Sequence, residues 1–149
     1  MSKKIGILTS GGDCAGLNAV IRAATLRAVN KYGWKVLGIR DGTLGLTSNP
    51  LNVTELKTSN FDGNLMRRGG TFLGSNNKGN PLTKKNDSDQ IIKSINKLGI
   101  EALIGVGGDG SMKILQKLTK KGSINFVGIP KTIDNDVMYN ELSIGYDTA

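Results

Sequence analysis

Aspartates that lie a few residues after apolar segments are the residues of this sequence best suited to chemistry. Asp109 lies in a Gly-Gly-Asp-Gly-Ser run after one such segment, and Asp134 and Asp136 follow another. A carboxylate can bind Mg²⁺, and it can also accept a proton from a hydroxyl group. These three side chains are therefore the first candidates for a site that holds a metal ion and moves a proton.

The absence of histidine narrows the possible chemistry. Ser-His-Asp and Cys-His catalysis cannot operate within this chain, and a zinc site built on imidazole is excluded. A general base supplied by the chain must be a carboxylate, a lysine, a tyrosine or the single thiol of Cys14. Binding of a hard cation through carboxylates remains open, which favours Mg²⁺.

The run Gly107-Gly108-Asp109-Gly110-Ser111 has a functional and a structural interpretation. The backbone amides can cradle phosphoryl oxygens while Asp109 binds Mg²⁺. Alternatively, Asp109 or Ser111 only caps the helix that follows, and the glycines serve the turn. We favour the functional interpretation, because glycines beside an aspartate let a ligand approach the backbone closely.

The segment 131–136 (KTIDND) brings two carboxylates close together. Residues two positions apart lie on one side of an extended chain, and like charges this close repel unless a cation lies near. Lys131 adds a positive charge beside them; a turn with solvated acids is the alternative. With the Asp109 run, the segment indicates phosphoryl transfer, which needs positioning, charge neutralisation and a base near the acceptor hydroxyl.

Two adjacent glycines, Gly11 and Gly12, form a third motif between an apolar segment and a helical pattern. They allow the backbone to approach a ligand, and the helix that follows offers its amino terminus to an anion. The sequence matches neither a Walker A loop nor a GxGxxG fingerprint. A tight turn without a ligand is the alternative interpretation.

Strand and helix patterns alternate along the chain, which predicts an α/β fold with an open, mostly parallel sheet and helices on both faces. Ligands of such sheets bind beyond the carboxyl ends of the strands, so the three motifs are expected to meet at one edge. The predicted strands are 5–8, 34–39, 102–106 and 124–129, with short β-like pieces at 51–53 and 71–73. The predicted helices are 15–31, 88–98 with Asp87 as its cap, and a third that follows the run 107–111 and ends at about Lys121.

The net charge of +8 is compatible with a solvated basic surface, with attraction of phosphorylated substrates or, least well supported, with nucleic acid. Aromatic residues are few and the cations are scattered, so we expect no nucleic-acid partner. The chain contains one cysteine and no run of 18 apolar residues, and its start does not match a signal peptide. We therefore expect no membrane association and a cytoplasmic location.

Taken together, these motifs make the sequence resemble the 6-phosphofructokinase family. The matching stretches are KIGILTSGGD (4–13), GLNAVIR (16–22), RGGTFLGS (68–75), IGVGGDGS (104–111) and PKTIDND (130–136). They occur in family order across the whole chain. The resemblance implies transfer of a phosphoryl group to the 1-hydroxyl of fructose 6-phosphate, in glycolysis.

The resemblance also implies a role for each motif. It puts Gly12 against the donor phosphates, Asp109 at the Mg²⁺, and Asp134 as the base for the 1-hydroxyl, with Asp136 assisting at the metal. The other site residues that it implies are the donor loop Gly108, Gly110 and Ser111, the donor-side pair Asn77 and Lys78, the sugar-phosphate contacts Thr132 and Ile133, and the cation Lys131.

Two positions bear on the phosphoryl donor, and they disagree. Gly110 is typical of members that use ATP, whereas pyrophosphate users carry an aspartate there that blocks the α-phosphate. Lys131 is typical of pyrophosphate users. We favour ATP, because Gly110 leaves space for the α-phosphate while Lys131 can neutralise either donor.

Several positions depart from the pattern of the bacterial ATP enzymes. Asn77 stands where they carry an arginine, and Lys78 beside it is a point charge without a bidentate fork. Thr43 replaces the aromatic residue that stacks on adenine. Arg22 matches one effector-site arginine of the family. Arg27 lies one residue away from the position of the second, which argues against control by a nucleoside diphosphate.

Members of the family are considerably longer than this chain and assemble as homo-oligomers, commonly tetramers. We therefore expect residues 1–149 to form the amino-terminal, donor-binding α/β domain, ending before the second domain. Whether this chain alone has activity stays open. The alternatives are a pyrophosphate-dependent enzyme, a non-catalytic nucleotide-binding module, and a NAD or lipid kinase, against which the stretches 68–75 and 130–136 argue.

Overall fold

The computed structural model describes residues 2–83 and 85–149, and within them the chain forms a six-stranded sheet flanked by three α-helices. The sheet order is β3-β2-β1-β4-β5-β6. The strands are β1 Lys4–Thr9, β2 Lys35–Ile39, β3 Val53–Leu56, β4 Ala102–Gly107, β5 Asn125–Thr132 and β6 Ile144–Gly145, and the helices are α1 Leu17–Leu26, α2 Lys85–Leu98 and α3 Asp109–Lys121.

All neighbouring strands pair in parallel except β2 and β3, which form the antiparallel edge. The central strands β1 and β4 are apolar over most of their length, because a parallel strand covered on both faces buries successive side chains rather than every second one. The carboxyl ends of β1, β4 and β5 therefore lie side by side, and the loops that follow them share one edge. The predicted fold class is confirmed.

Helices cover both faces of the sheet. On one face α1 packs through Ile21 against Ile5 and Ile7 of β1. On the other face α2 and α3 pack against Leu8 and Leu103. Of the described residues, no helix has the length and apolar character needed to cross a membrane.

The first predicted helix is shorter as an α-helix than expected. It begins after Gly16, which has φ +90°, and its α-helical part ends at Leu26; a π-helical turn, Arg27–Lys31, continues it. Gly33, with φ +62°, then reverses the chain into β2. Glycine suits both positions, because a Cβ disfavours positive φ.

Three predictions of local structure, two of them about the position of an element, were wrong. The second helix begins at Lys85, so Asp87 lies in its first turn instead of capping it. Residues 71–73 form a turn closed by the Gly74 amide on the Thr71 carbonyl (3.0 Å) instead of a strand, because tertiary packing buries Leu73 without strand pairing. The β-like piece at 51–53 lies farther along, at Val53–Leu56.

The fourth predicted strand is also longer than expected. It runs to Thr132, because Lys131 and Thr132 pair with the short strand β6, which the sequence analysis did not predict. Residues 131 and 132 are thereby fixed at the carboxyl edge of the sheet.

Candidate active site

A cavity of about 510 Å³ lies at the carboxyl edge of the sheet, where the loops after β1, β4 and β5 meet. The three aspartates singled out from the sequence all line it, although they come from motifs far apart in the chain. The lining residues are Gly11, Gly12, Asp13 and Cys14 from the first loop, Gly108, Asp109, Gly110 and Ser111 from the second, and Lys131, Thr132, Ile133, Asp134 and Asp136 from the third.

The first loop is fixed by backbone hydrogen bonds on both sides. The Ser10 amide donates to the Val106 carbonyl (2.9 Å), and the Gly11 amide donates to the Asn76 carbonyl (3.2 Å). Gly11 has φ +87°, and a Cβ there would come within 3.2 Å of the Ser111 hydroxyl. The first two loops therefore lie close together here, and the positive φ of Gly11 disfavours any residue with a Cβ at this position.

The second loop leads directly into α3, whose first residue is Asp109. Gly108 precedes the helix in an extended conformation, and no side chain caps the helix amides. A Cβ on Gly110 would have no heavy atom within 4 Å, so this position opens into the cavity. The uncapped amides and the open position leave the start of α3 accessible to an anion.

Asp109 also forms an ion pair with Lys113, one helical turn along α3. The Nζ–Oδ2 distance is 2.7 Å, and the two side chains are 69% (Lys113) and 43% (Asp109) exposed. Exposed pairs at this spacing contribute little to stability. The Asp109 carboxylate can therefore leave Lys113 for a cation in the cavity at small cost.

Lys131 brings a buried cation to the cavity. Lys131 is only 6% exposed, and its ammonium group donates a hydrogen bond to the carbonyl of Gly12. An ammonium group has three donors, and a buried charge with few partners is costly. The structure therefore holds a positive charge in place against the first loop.

The third loop turns where an extended chain was expected, so that expectation was wrong. Asn135, between the two aspartates, has φ +52°, a left-handed conformation that asparagine tolerates better than most residues. Its side chain accepts from the Ser143 amide (2.8 Å) and donates to the Glu141 carbonyl (3.0 Å). The turn still leaves the exposed Asp134 and Asp136 at the cavity.

Thr132 holds the backbone of Asp134, the first of these two aspartates. Its hydroxyl oxygen accepts a hydrogen bond from the Asp134 amide (3.1 Å). The sequence analysis placed Thr132 at the site but missed Asn135. The signal for Asn135 was an asparagine between two aspartates after a strand, a composition that favours turns.

The predicted donor-side pair lies apart from this cavity. Lys78 lines a neighbouring cavity of about 220 Å³ together with Thr43 and Asn76, and Asn77 is among the lining residues of neither cavity. Asn76, which the sequence analysis did not single out, fixes Lys78 by accepting from its amide (2.9 Å) and donating to its carbonyl (3.0 Å). Its own carbonyl accepts from the Gly11 amide, so the two cavities adjoin.

Cys14 lines the same cavity but is a poor base. Burial raises the pKa of its thiol above the ordinary value; the ammonium of Lys131 opposes this shift and Asp13 adds to it. A thiol with a raised pKa is almost entirely protonated near neutral pH. The carboxylates are therefore better candidates for the base than this thiol.

We expect Cys14 to react more slowly with iodoacetamide than a free cysteine peptide does, since the thiolate is the reactive form. The rate should rise with pH beyond the point where the free peptide levels off, and unfolding in guanidinium should abolish the difference. Mass spectrometry over time measures the labelled fraction. Equal rates for the folded chain and the peptide at neutral pH would contradict the raised pKa.

The described residues fit one mode of Mg²⁺ binding and not another. They contain no cluster of three or more cysteine, aspartate or glutamate side chains poised to bind a metal, so a cage made only of protein ligands does not fit. Mg²⁺ is commonly held by one or two carboxylates together with the phosphates of a substrate. Asp109 and Asp136, which both line the cavity, suit that mode.

Comparison with known proteins identifies sequence relatives over nearly the whole chain. The "ATP-dependent 6-phosphofructokinase 1" of Synechocystis sp. is 54% identical over 154 residues, which cover 99% of this chain and 42% of that protein. The "Pyrophosphate--fructose 6-phosphate 1-phosphotransferase" of Amycolatopsis methanolica is 40% identical over 149 residues. The chain thus spans less than half the length of these curated relatives.

A solved structure and a family model agree with these relatives. The crystal structure of Pichia pastoris phosphofructokinase in the T-state matches 98% of this chain and 17% of that chain, with a TM-score of 0.86 and 32% identity. The sequence model of the family described as "Phosphofructokinase" matches residues 4–149. This chain belongs to the phosphofructokinase family and corresponds to the amino-terminal half of its members.

Proposed function

We propose that this chain is the donor-binding half of an ATP-dependent 6-phosphofructokinase, which transfers a phosphoryl group from ATP to the 1-hydroxyl of fructose 6-phosphate. The observation that carries the proposal is the single cavity lined by the loops after β1, β4 and β5. It combines uncapped helix amides, a buried ammonium and four carboxylates, and phosphoryl transfer requires groups of these kinds.

The donor side of the cavity is formed by glycine backbone. Gly12 and Gly108 present their backbone to the cavity, while Gly110 and Ser111 lie at the start of α3. Phosphoryl oxygens accept hydrogen bonds from amides at a helix start. Asp109 would hold Mg²⁺, with Asp136 assisting, and the ion would neutralise charge on the donor phosphates.

The acceptor side is formed by the third loop. Asp134 is exposed in the cavity, and its amide is held by the Thr132 hydroxyl. In the proposed reaction its carboxylate accepts the proton of the sugar 1-hydroxyl while that oxygen attacks the γ-phosphorus, and the bond from this phosphorus to the bridging oxygen breaks so that ADP leaves. Ile133 and Thr132 lie beside it and would contact the sugar phosphate.

Two observations bear on the donor. Space at Gly110 favours ATP, as does the higher identity of the relative named for ATP than of the relative named for pyrophosphate. The buried ammonium of Lys131 favours pyrophosphate as the second candidate, because it places a fixed charge near the phosphates. We assign ATP, since Lys131 can neutralise charge on either donor.

The remaining parts of the proposal follow from family membership. The longer protein would be a cytoplasmic enzyme of glycolysis. It would assemble as a homotetramer. Lys78 and Asn76, beside the neighbouring cavity, would face the nucleoside part of ATP. Asn77 lines neither cavity, so only the family pattern supports its proposed role in donor binding.

The direct test compares donors in a longer enzyme. In the fusion enzyme, this chain replaces the matching amino-terminal part of the Synechocystis relative. With fructose 6-phosphate and Mg²⁺, we expect ATP to give a kcat/KM at least about tenfold above that of pyrophosphate, a difference of about 1.4 kcal/mol. A preference for pyrophosphate would establish the second candidate, and turnover with neither donor, while the parent enzyme is active, would contradict the proposal.

A carboxylate at position 110 should weaken ATP binding. Gly110→Asp adds charge where a Cβ now has no neighbour within 4 Å, and we expect an increase of about tenfold in the Kd for ATP, or about 1.4 kcal/mol. Gly110→Ala is the matched control, because it adds the Cβ without the charge. Calorimetric titration of the 149-residue chain measures both variants, and an unchanged Kd in Gly110→Asp would remove the donor assignment.

A further inference from the structure

Asn76 connects the two cavities at the carboxyl edge of the sheet. Its carbonyl accepts a hydrogen bond from the Gly11 amide of the first loop (3.2 Å), and the residue lines the neighbouring cavity of about 220 Å³. Two residues earlier, the Gly74 carbonyl accepts from the Thr9 hydroxyl (2.7 Å). A Cβ on the buried Gly42 would lie 3.6 Å from the Asn76 amide nitrogen. The backbone of Asn76 is therefore held between the first loop and the residues that follow β2.

The segment that follows Asn76 is held by the side chain of that residue. Residues 77–80 are exposed, and Gly79 has φ +79°. Oδ1 of Asn76 accepts from the Lys78 amide (2.9 Å), and its Nδ2 donates to the Lys78 carbonyl (3.0 Å). These bonds close a turn of the kind in which an asparagine side chain binds the backbone two residues on. An exposed segment is thereby joined to a residue that is itself fixed against the first loop.

The backbone and the side chain of Asn76 thus support different parts of the site. Its carbonyl supports Gly11, which lines the larger cavity, and its side chain supports Lys78, which lines the neighbouring cavity. A donor with a nucleoside would extend from the first cavity into the second, whereas an inorganic polyphosphate has no group to place there. Ordering an exposed segment during binding costs conformational entropy, so a segment ordered in advance strengthens binding of the larger donor.

We propose that Asn76 is a positioning residue that raises the affinity of this site for nucleoside triphosphates and not for inorganic polyphosphates. Its side chain holds the segment around Lys78 in the conformation that receives the nucleoside, before the donor binds. The inference rests on the proposed function, which assigns the phosphates to the larger cavity and the nucleoside to the neighbouring one. Because Asn76 is not among the residues that line the larger cavity, it should affect donor binding and not the rate of transfer.

Two ligands separate this role from a general loss of structure, because ATP and tripolyphosphate share a chain of three phosphates and only ATP has a nucleoside. In the 149-residue chain with Mg²⁺, Asn76→Ala should raise the Kd for ATP about five- to tenfold, the effect of about one neutral hydrogen bond. The Kd for tripolyphosphate should change by less than about twofold, since the carbonyl bonded to Gly11 remains. Calorimetric titration measures both constants. In the fusion enzyme the KM for ATP should rise while kcat stays within about twofold of the parent.

Two further variants complete the experiment. Asn76→Ser is the conservative variant: a serine hydroxyl can close a weaker turn of the same kind, so its Kd for ATP should lie between those of the parent and Asn76→Ala, and it carries the test if the alanine variant fails to fold. Asn60→Ala is the control. Oδ1 of Asn60 also accepts from a backbone amide, that of Lys57 (2.6 Å), but Asn60 lines neither cavity, so both Kd values should stay unchanged.

Equal increases in the Kd for ATP and for tripolyphosphate would overturn the proposal, because they would indicate a distorted first loop. An unchanged Kd for ATP in Asn76→Ala would overturn it as well. Both results would leave the proposed function standing. A parent chain that binds neither ligand would contradict the proposed function itself, and the inference would fall with it.

Discussion

In the fusion enzyme, Asp134→Ser is expected to lower kcat by about 10²–10⁴-fold, the range that a general base contributes, and to leave the Kd for ATP nearly unchanged. Asp134 is exposed in the cavity on the third loop, whereas in the proposed arrangement the backbone amides that hold the donor phosphates belong to the first and second loops. Loss of its carboxylate should therefore slow proton removal without removing a donor contact. Steady-state kinetics and calorimetric titration measure the two quantities separately.

Glu141→Gln is the matched control for Asp134→Ser. Glu141 is an exposed carboxylate in the same region of the chain, and it does not line the cavity. We expect its kcat to stay within about twofold of the parent, as for most exposed substitutions away from a site. An Asp134→Ser enzyme with the kcat of this control would remove Asp134 as the base, and an equal loss of kcat and ATP affinity would assign it to the donor.

Lys131→Met in the 149-residue chain is expected to raise the Kd for ATP with Mg²⁺ by about 10- to 100-fold. A hydrogen bond to a charged group contributes about 1.5–3 kcal/mol, and the ammonium now also holds the first loop through the Gly12 carbonyl. The Tm of the ligand-free chain should not fall, because the substitution removes a buried charge that has few partners. Weaker binding without lower stability would mark Lys131 as a ligand-binding group.

Lys120→Met supplies the comparison for that experiment, since Lys120 is exposed near the end of α3, far from the cavity lining. Calorimetric titration and thermal unfolding of both variants are required. A parallel loss of Tm and of ATP affinity in Lys131→Met would assign the residue a structural role. An unchanged Kd would show that its charge does not reach the donor.

The convergence of the site could be predicted from the sequence because it depends on local patterns and topology. Apolar segments at 102–106 and 124–129, each followed by glycine or aspartate, indicated parallel strands with loops at one edge. The structure places Asp109, Asp134 and Asp136 in one cavity, as that topology requires. No side-chain geometry was needed for this step.

The conformation of the third loop could not be predicted in the same way. Asn135 takes a left-handed conformation because its side chain bonds with Glu141 and Ser143, farther along the chain. Period-two alternation predicts an extended segment there. Only the returning segment that ends in β6 explains the turn, and a strand of two residues gives no periodic signal.

The loop at 71–74 shows a second reason why local structure could not be predicted from the sequence. Its apolar residues suggested a strand, yet Leu73 is buried by packing, and the Thr9 hydroxyl lies 3.0 Å from that of Thr71 and donates to the Gly74 carbonyl (2.7 Å). An apolar run is compatible with any buried backbone that has partners for its polar groups. Side-chain hydrogen bonds took the place of a strand ladder here.

The central claim is that the cavity at the carboxyl edge binds a polyphosphate donor with Mg²⁺, and amide NMR of the ¹⁵N-labelled chain titrated with ATP and Mg²⁺ tests it most directly. The account predicts that the largest changes in amide chemical shift occur at Gly11, Gly12, Gly108, Gly110 and Ser111. It also predicts that Asp109→Asn makes these changes smaller when Mg²⁺ is present. Changes concentrated at the opposite edge of the sheet, around Lys3 and Trp34, or no saturable change at all, would contradict it.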